Sequence, residues 1–206
     1  MIALSEKSQL VIIDMQEKLS IVMPKEVINK IIKRSELLIT VANELGVPQI
    51  CTEQYPKGLG PTLSKMIPFL SEAKFVEKNV FACTEEPIFL RYLIKTRPQI
   101  FLLGMETHIC VLQTAIGLIN SGKDVFIIED VVVSRNISNK QNAINRLRDA
   151  GCIITNDNKF ADFATEKGEN IVTLINSCVK KICERLSLIH ISEPTRQAEI
   201  SYAVFC

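Results

Sequence analysis

Short runs of apolar residues alternate along this chain with longer segments whose apolar residues recur at helical spacing. The runs predict six strands, at residues 10–14, 47–51, 74–76, 99–103, 124–129 and 152–155. The helical spacing predicts four helices between them, at residues 27–45, 87–95, 110–121 and 140–150. This alternation predicts an α/β domain in which a parallel sheet is covered by helices on both sides.

Three polar residues follow predicted strands closely. Asp14 ends the first apolar run, Lys78 comes shortly after Phe75-Val76, and Cys110 follows the strand at residues 99–103. In open α/β sheets ligands bind at the carboxyl ends of the strands, where these three side chains would converge. A carboxylate, an ammonium and a thiol together suit nucleophilic attack on a carbonyl. Taken singly, the same residues are also typical of a helix cap, a solvated charge and a buried structural thiol.

The position of Cys110 makes a prediction about its acidity. The predicted helix at residues 110–121 would place its thiol among the unpaired N–H groups and the positive dipole end of the first turn. We therefore expect a thiol pKa below the unperturbed ~8.5, and backbone N–H groups placed to bind an oxyanion.

Composition limits the classes of partner. With 206 residues and 47% hydrophobic content, the chain is long enough for one domain with a sizeable core. The formal net charge is +1 and the basic residues are scattered, so we expect neither nucleic acid nor a membrane as partner. No apolar run approaches the roughly 20 residues of a membrane span.

The seven cysteines are widely spaced and contain no C-x-x-C pair. This spacing argues against a disulfide framework and against a structural zinc site. The first residues also lack the pattern of a signal peptide, so we expect a cytoplasmic protein, where a reactive thiol stays reduced.

Three separated motifs carry a resemblance to a known family. They are VIIDMQ around Asp14, VEKNVF around Lys78 and GMETHIC ending in Cys110. In that order they resemble the cysteine-hydrolase superfamily named after isochorismatase. The stretch TEQYPKGLGPT at residues 52–62 resembles one branch, the isochorismatase-domain-containing hydrolases of animals and their bacterial relatives. The resemblance spans residues 9 to 156, and it implies a Rossmann-like three-layer sandwich with a six-stranded, mainly parallel sheet.

The resemblance also implies a mechanism. Cys110 would attack the carbonyl of a small-molecule amide, Asp14 would move the proton, Lys78 would support both, and water would hydrolyse the thioester. The backbone N–H groups of Glu106 and Cys110 would hold the oxyanion, arranged by a cis peptide between Met105 and Glu106. Homo-oligomers are common in the family, so we expect one here. His108 could serve as an alternative base, but a hydrogen-bonded structural role fits its position in the turn better.

The substrate is less well defined. The nicotinamidase branch of the superfamily carries an Asp-x-His metal motif after the second strand, whereas no histidine precedes His108 in this chain. We therefore expect no metal and no cofactor. Five residues near the first two strands are candidates for the pocket wall, although they could equally pack the proline- and glycine-rich loop at residues 55–61: Gln16, Glu53, Gln54, Tyr55 and Leu59.

Two further functions fit the same fold. The protein could be a non-catalytic binding or scaffold module, or a thiol redox sensor that uses Cys110. We expect one hydrolase domain over residues 1–186, which ends in an amphipathic helix at residues 171–186. The tail at residues 187–206 has no periodicity and no counterpart in the family, so we expect it to be non-native or disordered.

Overall fold

The computed structural model describes residues 3–156, which form a six-stranded parallel sheet surrounded by helices. The strands are β1 (Ser8–Ile13), β2 (Gln49–Gln54), β3 (Lys74–Lys78), β4 (Gln99–Met105), β5 (Asp124–Val133) and β6 (Ile153–Thr155). The α-helices are α1 (Glu17–Ile21), α2 (Lys25–Glu44), α3 (Pro56–Leu59), α4 (Pro87–Tyr92), α5 (Leu112–Asn120) and α6 (Ile137–Asp149). The predicted α/β class and all six predicted strands are confirmed.

The three central strands, β1, β4 and β5, are buried on both faces, and most of their residues are apolar. Along β1, Leu10 and Ile12 pack into one core, which contains the apolar face of α2. Val11 and Ile13 point the other way, into a second core that contains residues of α4, α5 and α6. Each fully buried aliphatic side chain of this kind contributes roughly 1.5–3 kcal/mol to folding. The predicted three-layer sandwich is thus confirmed.

The order of the strands locates the crevice in which a ligand would bind. The sheet runs β3-β2-β1-β4-β5-β6, so the chain builds outward from β1 in one direction and then from β4 in the other. Ligands of open α/β sheets bind where the order reverses, outside the carboxyl ends of the two central strands. Here those ends are Ile13 of β1 and Met105 of β4.

A glycine allows the two central strands to approach each other. Gly104 on β4 lies opposite Ile13 on β1, and its φ is +127°. A Cβ atom at this position would lie 2.0 Å from the backbone oxygen of Ile13, so a larger residue would force the strands apart.

We expect Gly104→Ala to lower the free energy of unfolding by about 3 kcal/mol or more, because strain and a backbone clash act together. Gly122→Ala is the matched control: its φ is also positive, at +78°, but nothing lies within 4 Å of the added Cβ. That control should lose only about 1 kcal/mol. Urea titration of both variants compares them, and equal losses would contradict a clash between β1 and β4.

None of the helices between residues 3 and 156 combines the length and the apolar composition that a membrane span needs. The helix predicted at residues 171–186 and the tail predicted at residues 187–206 lie outside the described residues.

Candidate active site

Asp14 follows β1 directly and is completely buried. Its backbone adopts a left-handed φ of 51°, a conformation that few residues other than glycine take up. One carboxylate oxygen accepts a hydrogen bond of 2.7 Å from the Thr52 hydroxyl, and the other accepts one of 2.7 Å from the Lys78 ammonium. Strained backbone of this kind clusters at functional sites, so Asp14 is a candidate for catalysis as well as for structure.

Lys78 is the last residue of β3, and its side chain is also fully buried. Its ammonium donates to Asp14 Oδ2 and to Gln54 Oε1, both at 2.7 Å. The carbonyl oxygens of Val80 and Phe81 lie farther away, at 3.3 Å. Lys78 is therefore not the solvated surface charge that its residue type alone would suggest.

Cys110 completes the group. It lies in a π-helical turn at Thr107–Val111, and α5 begins only afterwards, at Leu112. Cys110 is 6% exposed, and it lies close enough to the carboxyl group of Asp14 for the two groups to shift each other's pKa. The structure thus brings together the three residues that the sequence predicted to converge, with Asp14 between the other two in its interactions.

Burial controls the acidity of all three groups. It raises the pKa of the Cys110 thiol, the Asp14 carboxylate raises that pKa further, and Lys78 opposes both effects. It also raises the pKa of Asp14, against the effects of Lys78 and the hydrogen bonds. Burial lowers the pKa of Lys78, but the Asp14 carboxylate and nearby thiols outweigh it, so the net direction is upward.

The prediction of a lowered pKa for Cys110 is therefore wrong. It considered the helix terminus and the lysine but not the desolvation of the thiol or the adjacent carboxylate. The resting site favours a protonated thiol beside an aspartate that is a stronger base than an exposed one.

The acidity of Cys110 has a measurable consequence. We expect its alkylation by iodoacetamide to accelerate about tenfold per pH unit between pH 7 and 9, because the thiolate fraction grows tenfold per unit below a raised pKa. Asp14→Asn should move this profile to lower pH, since the carboxylate raises the thiol pKa, and Lys78→Ala should move it to higher pH.

Brief labelling followed by peptide mapping measures these rates. Cys51 and Cys83 serve as internal controls, because both are fully buried and burial raises their pKa values to about 12 and about 11. A rate that reaches its plateau near neutral pH would show that Cys110 is a thiolate at rest.

The turn before Cys110 is held by a second charged group. The peptide bond between Met105 and Glu106 is cis, as the resemblance implied. The Glu106 carboxylate, 4% exposed, accepts hydrogen bonds from Arg135, whose Nε lies 2.7 Å away and whose Nη2 also contacts it. His108 Nδ1 lies 2.9 Å from the Ser134 hydroxyl and 3.5 Å from Glu106 Oε2. These contacts agree with a structural role for His108, and Arg135 is a site residue that the sequence patterns did not indicate.

The structure separates the predicted pocket residues into two groups. Gln16, Glu53 and Gln54 hold the framework of the site with their side chains. Gln16 Nε2 donates to the carbonyl oxygens of Gln54 and Gly60, at 3.0 and 2.6 Å. Glu53 Oε1 accepts from the backbone and hydroxyl groups of Thr62, at 2.6 and 2.7 Å. Their polar atoms bind protein groups, and that these three residues line a pocket stays a prediction.

Tyr55 and Leu59 stay candidates for the pocket wall. Tyr55 is 52% exposed and has a left-handed φ of 37°. Its ring lies over Gly58, where an added Cβ would approach the ring to 2.3 Å. Leu59 is half-buried at the end of α3. The ring of Tyr55 thus lies against the backbone of Gly58, just after β2.

Thr52 is a further site residue that the sequence patterns did not indicate. It pairs in register with Ile13, so its hydroxyl reaches Asp14, the next residue. The sequence signal was weak: a hydroxyl residue that follows directly after the apolar pair Ile50-Cys51. Cys83 also lies nearby, with its Sγ 3.9 Å from Thr52 Oγ1.

Over the part of the chain that the structure describes, no group of three or more His, Cys, Asp or Glu side chains is placed to hold a metal ion. The absence of a metal or cofactor requirement stays a prediction.

Known proteins resemble this chain over most of its length. The family model described as Isochorismatase domain matches residues 8–159. Isochorismatase family protein 1B of Dictyostelium discoideum is 38% identical over 155 residues, covering 73% of this chain and 74% of that protein. Isochorismatase domain-containing protein 2 of Bos taurus is 32% identical over 151 residues, covering 72% of this chain and 70% of that protein.

The fold agrees with this relationship. The solved structure of the MAR1 ribonuclease from Caenorhabditis elegans matches with a TM-score of 0.74 at 30% identity, covering 100% of this chain and 99% of that one. Together with the site geometry, these similarities show that the chain belongs to the isochorismatase family.

Proposed function

We propose that this protein is a cysteine hydrolase that cleaves a small-molecule amide or a related C–N bond. One observation carries the proposal: a single buried carboxylate, that of Asp14, accepts a hydrogen bond from the Lys78 ammonium and lies close enough to the Cys110 thiol for each of the two groups to shift the pKa of the other. A nucleophile within reach of a base, with the base oriented by a third group, is the arrangement that nucleophilic catalysis requires.

In the first half of the reaction, Cys110 Sγ attacks the carbonyl carbon while its proton passes to Asp14. The carbonyl oxygen becomes an oxyanion, for which the backbone N–H groups of Glu106 and Cys110 are the proposed donors. The C–N bond then breaks, Asp14 returns the proton to the leaving nitrogen, and a thioester on Cys110 remains.

In the second half, water attacks the thioester. Asp14, again a carboxylate, accepts a proton from the water, and the C–S bond breaks to release the carboxylic acid. The proton returns to the sulfur, which restores the starting state. The raised pKa of Asp14 suits it to accept a proton from a thiol and then from water. Lys78 stays charged throughout and balances the carboxylate.

A covalent intermediate provides the direct test. The protein is mixed with a library of small amides and esters, quenched, and examined by intact-mass spectrometry and peptide mapping. We expect an acyl adduct on Cys110 from at least one amide, with release of the amine and then of the acid. Cys110→Ala supplies the background.

Other outcomes would support other functions. Sulfenylation of Cys110 by peroxide without any acyl adduct favours a thiol sensor, and binding without either modification favours a scaffold module. A short RNA is included in the library because one relative is described as a ribonuclease. Its cleavage without an adduct would contradict the amide proposal. The predicted homo-oligomer and cytoplasmic location stay predictions, the first of which sedimentation tests.

A further inference from the structure

We propose that Gln54 is a positioning residue that orients the ammonium of Lys78 toward Asp14 and thereby sets the reactivity of Cys110. This inference rests on the proposed function, in which Lys78 supports the pair formed by Asp14 and Cys110. It gives the glutamine a role in the catalytic machinery instead of the pocket wall.

The hydrogen bonds of Lys78 carry the first step. An ammonium has three N–H donors. Two short bonds of 2.7 Å go to Asp14 Oδ2 and Gln54 Oε1, and the two carbonyl oxygens at 3.3 Å are left to share the third donor. The neutral amide oxygen of Gln54 therefore binds the ammonium as closely as the carboxylate does. Two short bonds from fixed acceptors define the direction of the ammonium group.

Gln54 is itself held in place. It lies opposite Lys78 in the register of β2 and β3, so both side chains extend from neighbouring points of the sheet edge. The side-chain amide of Gln16 clamps its backbone, donating to the Gln54 carbonyl at 3.0 Å and accepting from the Gln54 N–H at 2.8 Å. The side chain of Gln54 is only slightly exposed, at 9%. Its amide oxygen is thus preorganised for the ammonium.

The neutrality of the amide matters as much as its position. A second carboxylate at position 54 would share the ammonium with Asp14, and like charges on one partner raise carboxyl pKa values. It would also weaken the positive field at Cys110, where Lys78 lowers the thiol pKa. Glutamine supplies the acceptor without this competition.

The test measures Cys110 alkylation across a pH series in Gln54→Glu and Gln54→Met. Gln54→Glu should move the profile upward by about one pH unit, so that the rate at pH 8 falls roughly tenfold. Gln54→Met keeps the volume but removes the acceptor, and it should move the profile in the same direction. If the methionine variant does not fold, the isosteric glutamate variant decides the question.

Gln9→Glu is the matched control. Gln9 is a buried glutamine at the opposite end of β1, and its amide binds the backbone of Tyr92 and Ile94 at 2.8 and 3.1 Å. The substitution removes a donor from a structural contact, so it should lower the melting temperature without moving the alkylation profile. An unchanged profile in folded Gln54→Glu, or an equal shift in Gln9→Glu, would overturn the proposal.

Alkylation needs no substrate, so the two proposals fail separately. A shifted profile with no acyl adduct from any amide would leave the role of Gln54 standing and remove the hydrolase function. An acyl adduct on Cys110 together with an unchanged alkylation profile in the Gln54 variants would support the hydrolase function and rule out the role of Gln54.

Discussion

Cys110→Ala is expected to reduce amide hydrolysis by about 10⁴-fold or more, because loss of the nucleophile removes the covalent route entirely. The acyl adduct should disappear with it. Stability should change little, since the substitution removes only the sulfur atom from a well-packed site, at a cost of about 1 kcal/mol. Steady-state turnover of the substrate found by adduct screening, with a thermal melt, measures both.

Cys152→Ala provides the control for this loss. Cys152 is buried to the same degree, 5% exposed against 6% for Cys110, but it packs in the core beside β6. Its replacement should cost similar stability and leave turnover intact. Equal activity in the two variants would show that the thiol at the sheet edge does not perform the chemistry.

Lys78→Met is expected to lower the free energy of unfolding by about 3–5 kcal/mol, because it leaves the Asp14 carboxylate buried without its cation. Both side chains of the pair are completely buried, at an N–O distance of 2.7 Å. Burial already raises the pKa of Asp14, and removing Lys78 raises it further. The folded variant therefore binds a proton more tightly than the unfolded chain, so its stability should fall as the pH rises above the ordinary aspartate value of 3.8.

Urea titrations at several pH values test this expectation. Asp14→Asn, Lys78→Met and the double variant together form a double-mutant cycle. The double variant should regain part of the loss, since no charge is left unpaired. Lys18→Met is the control, because Lys18 is exposed and its ammonium donates a hydrogen bond to the carbonyl of Gly58 instead of binding a carboxylate. It should change stability by less than about 0.5 kcal/mol. If the stability lost in Lys78→Met did not change with pH, the explanation that Asp14 is left buried without its cation would be wrong.

The sequence predicted the residues of the site better than their chemistry. Asp14, Lys78 and Cys110 could be placed together because each follows an apolar run, and parallel strands bring their carboxyl ends to one edge. The direction of the pKa of Cys110 could not be predicted in the same way. It depends on how completely three elements exclude water from one thiol, and no local pattern records that.

The polar side chains around Asp14, Lys78 and Cys110 were harder to interpret from the sequence. Gln16 and Gln54 stood in the correct region, but their partners depend on the register between β1, β2 and β3. Thr52 reaches Asp14 only because it lies beside Ile13 in that register. Hydrogen bonds of this kind join residues about 38 positions apart, so periodicity within a short window does not reveal them.

Lys78 places one residue of the candidate active site on an edge strand of the sheet. Lys78 ends β3, which has a neighbouring strand on one side only within residues 3–156 and leaves Phe75 43% exposed. Asp14 and Cys110, by contrast, are anchored next to the two innermost strands. Peripheral strands fray in sub-global openings that cost less free energy than complete unfolding. Such an opening of β3 would move the Lys78 ammonium away from Asp14 while the interior of the sheet stays folded, so we expect the proposed catalytic group to be lost before the domain unfolds.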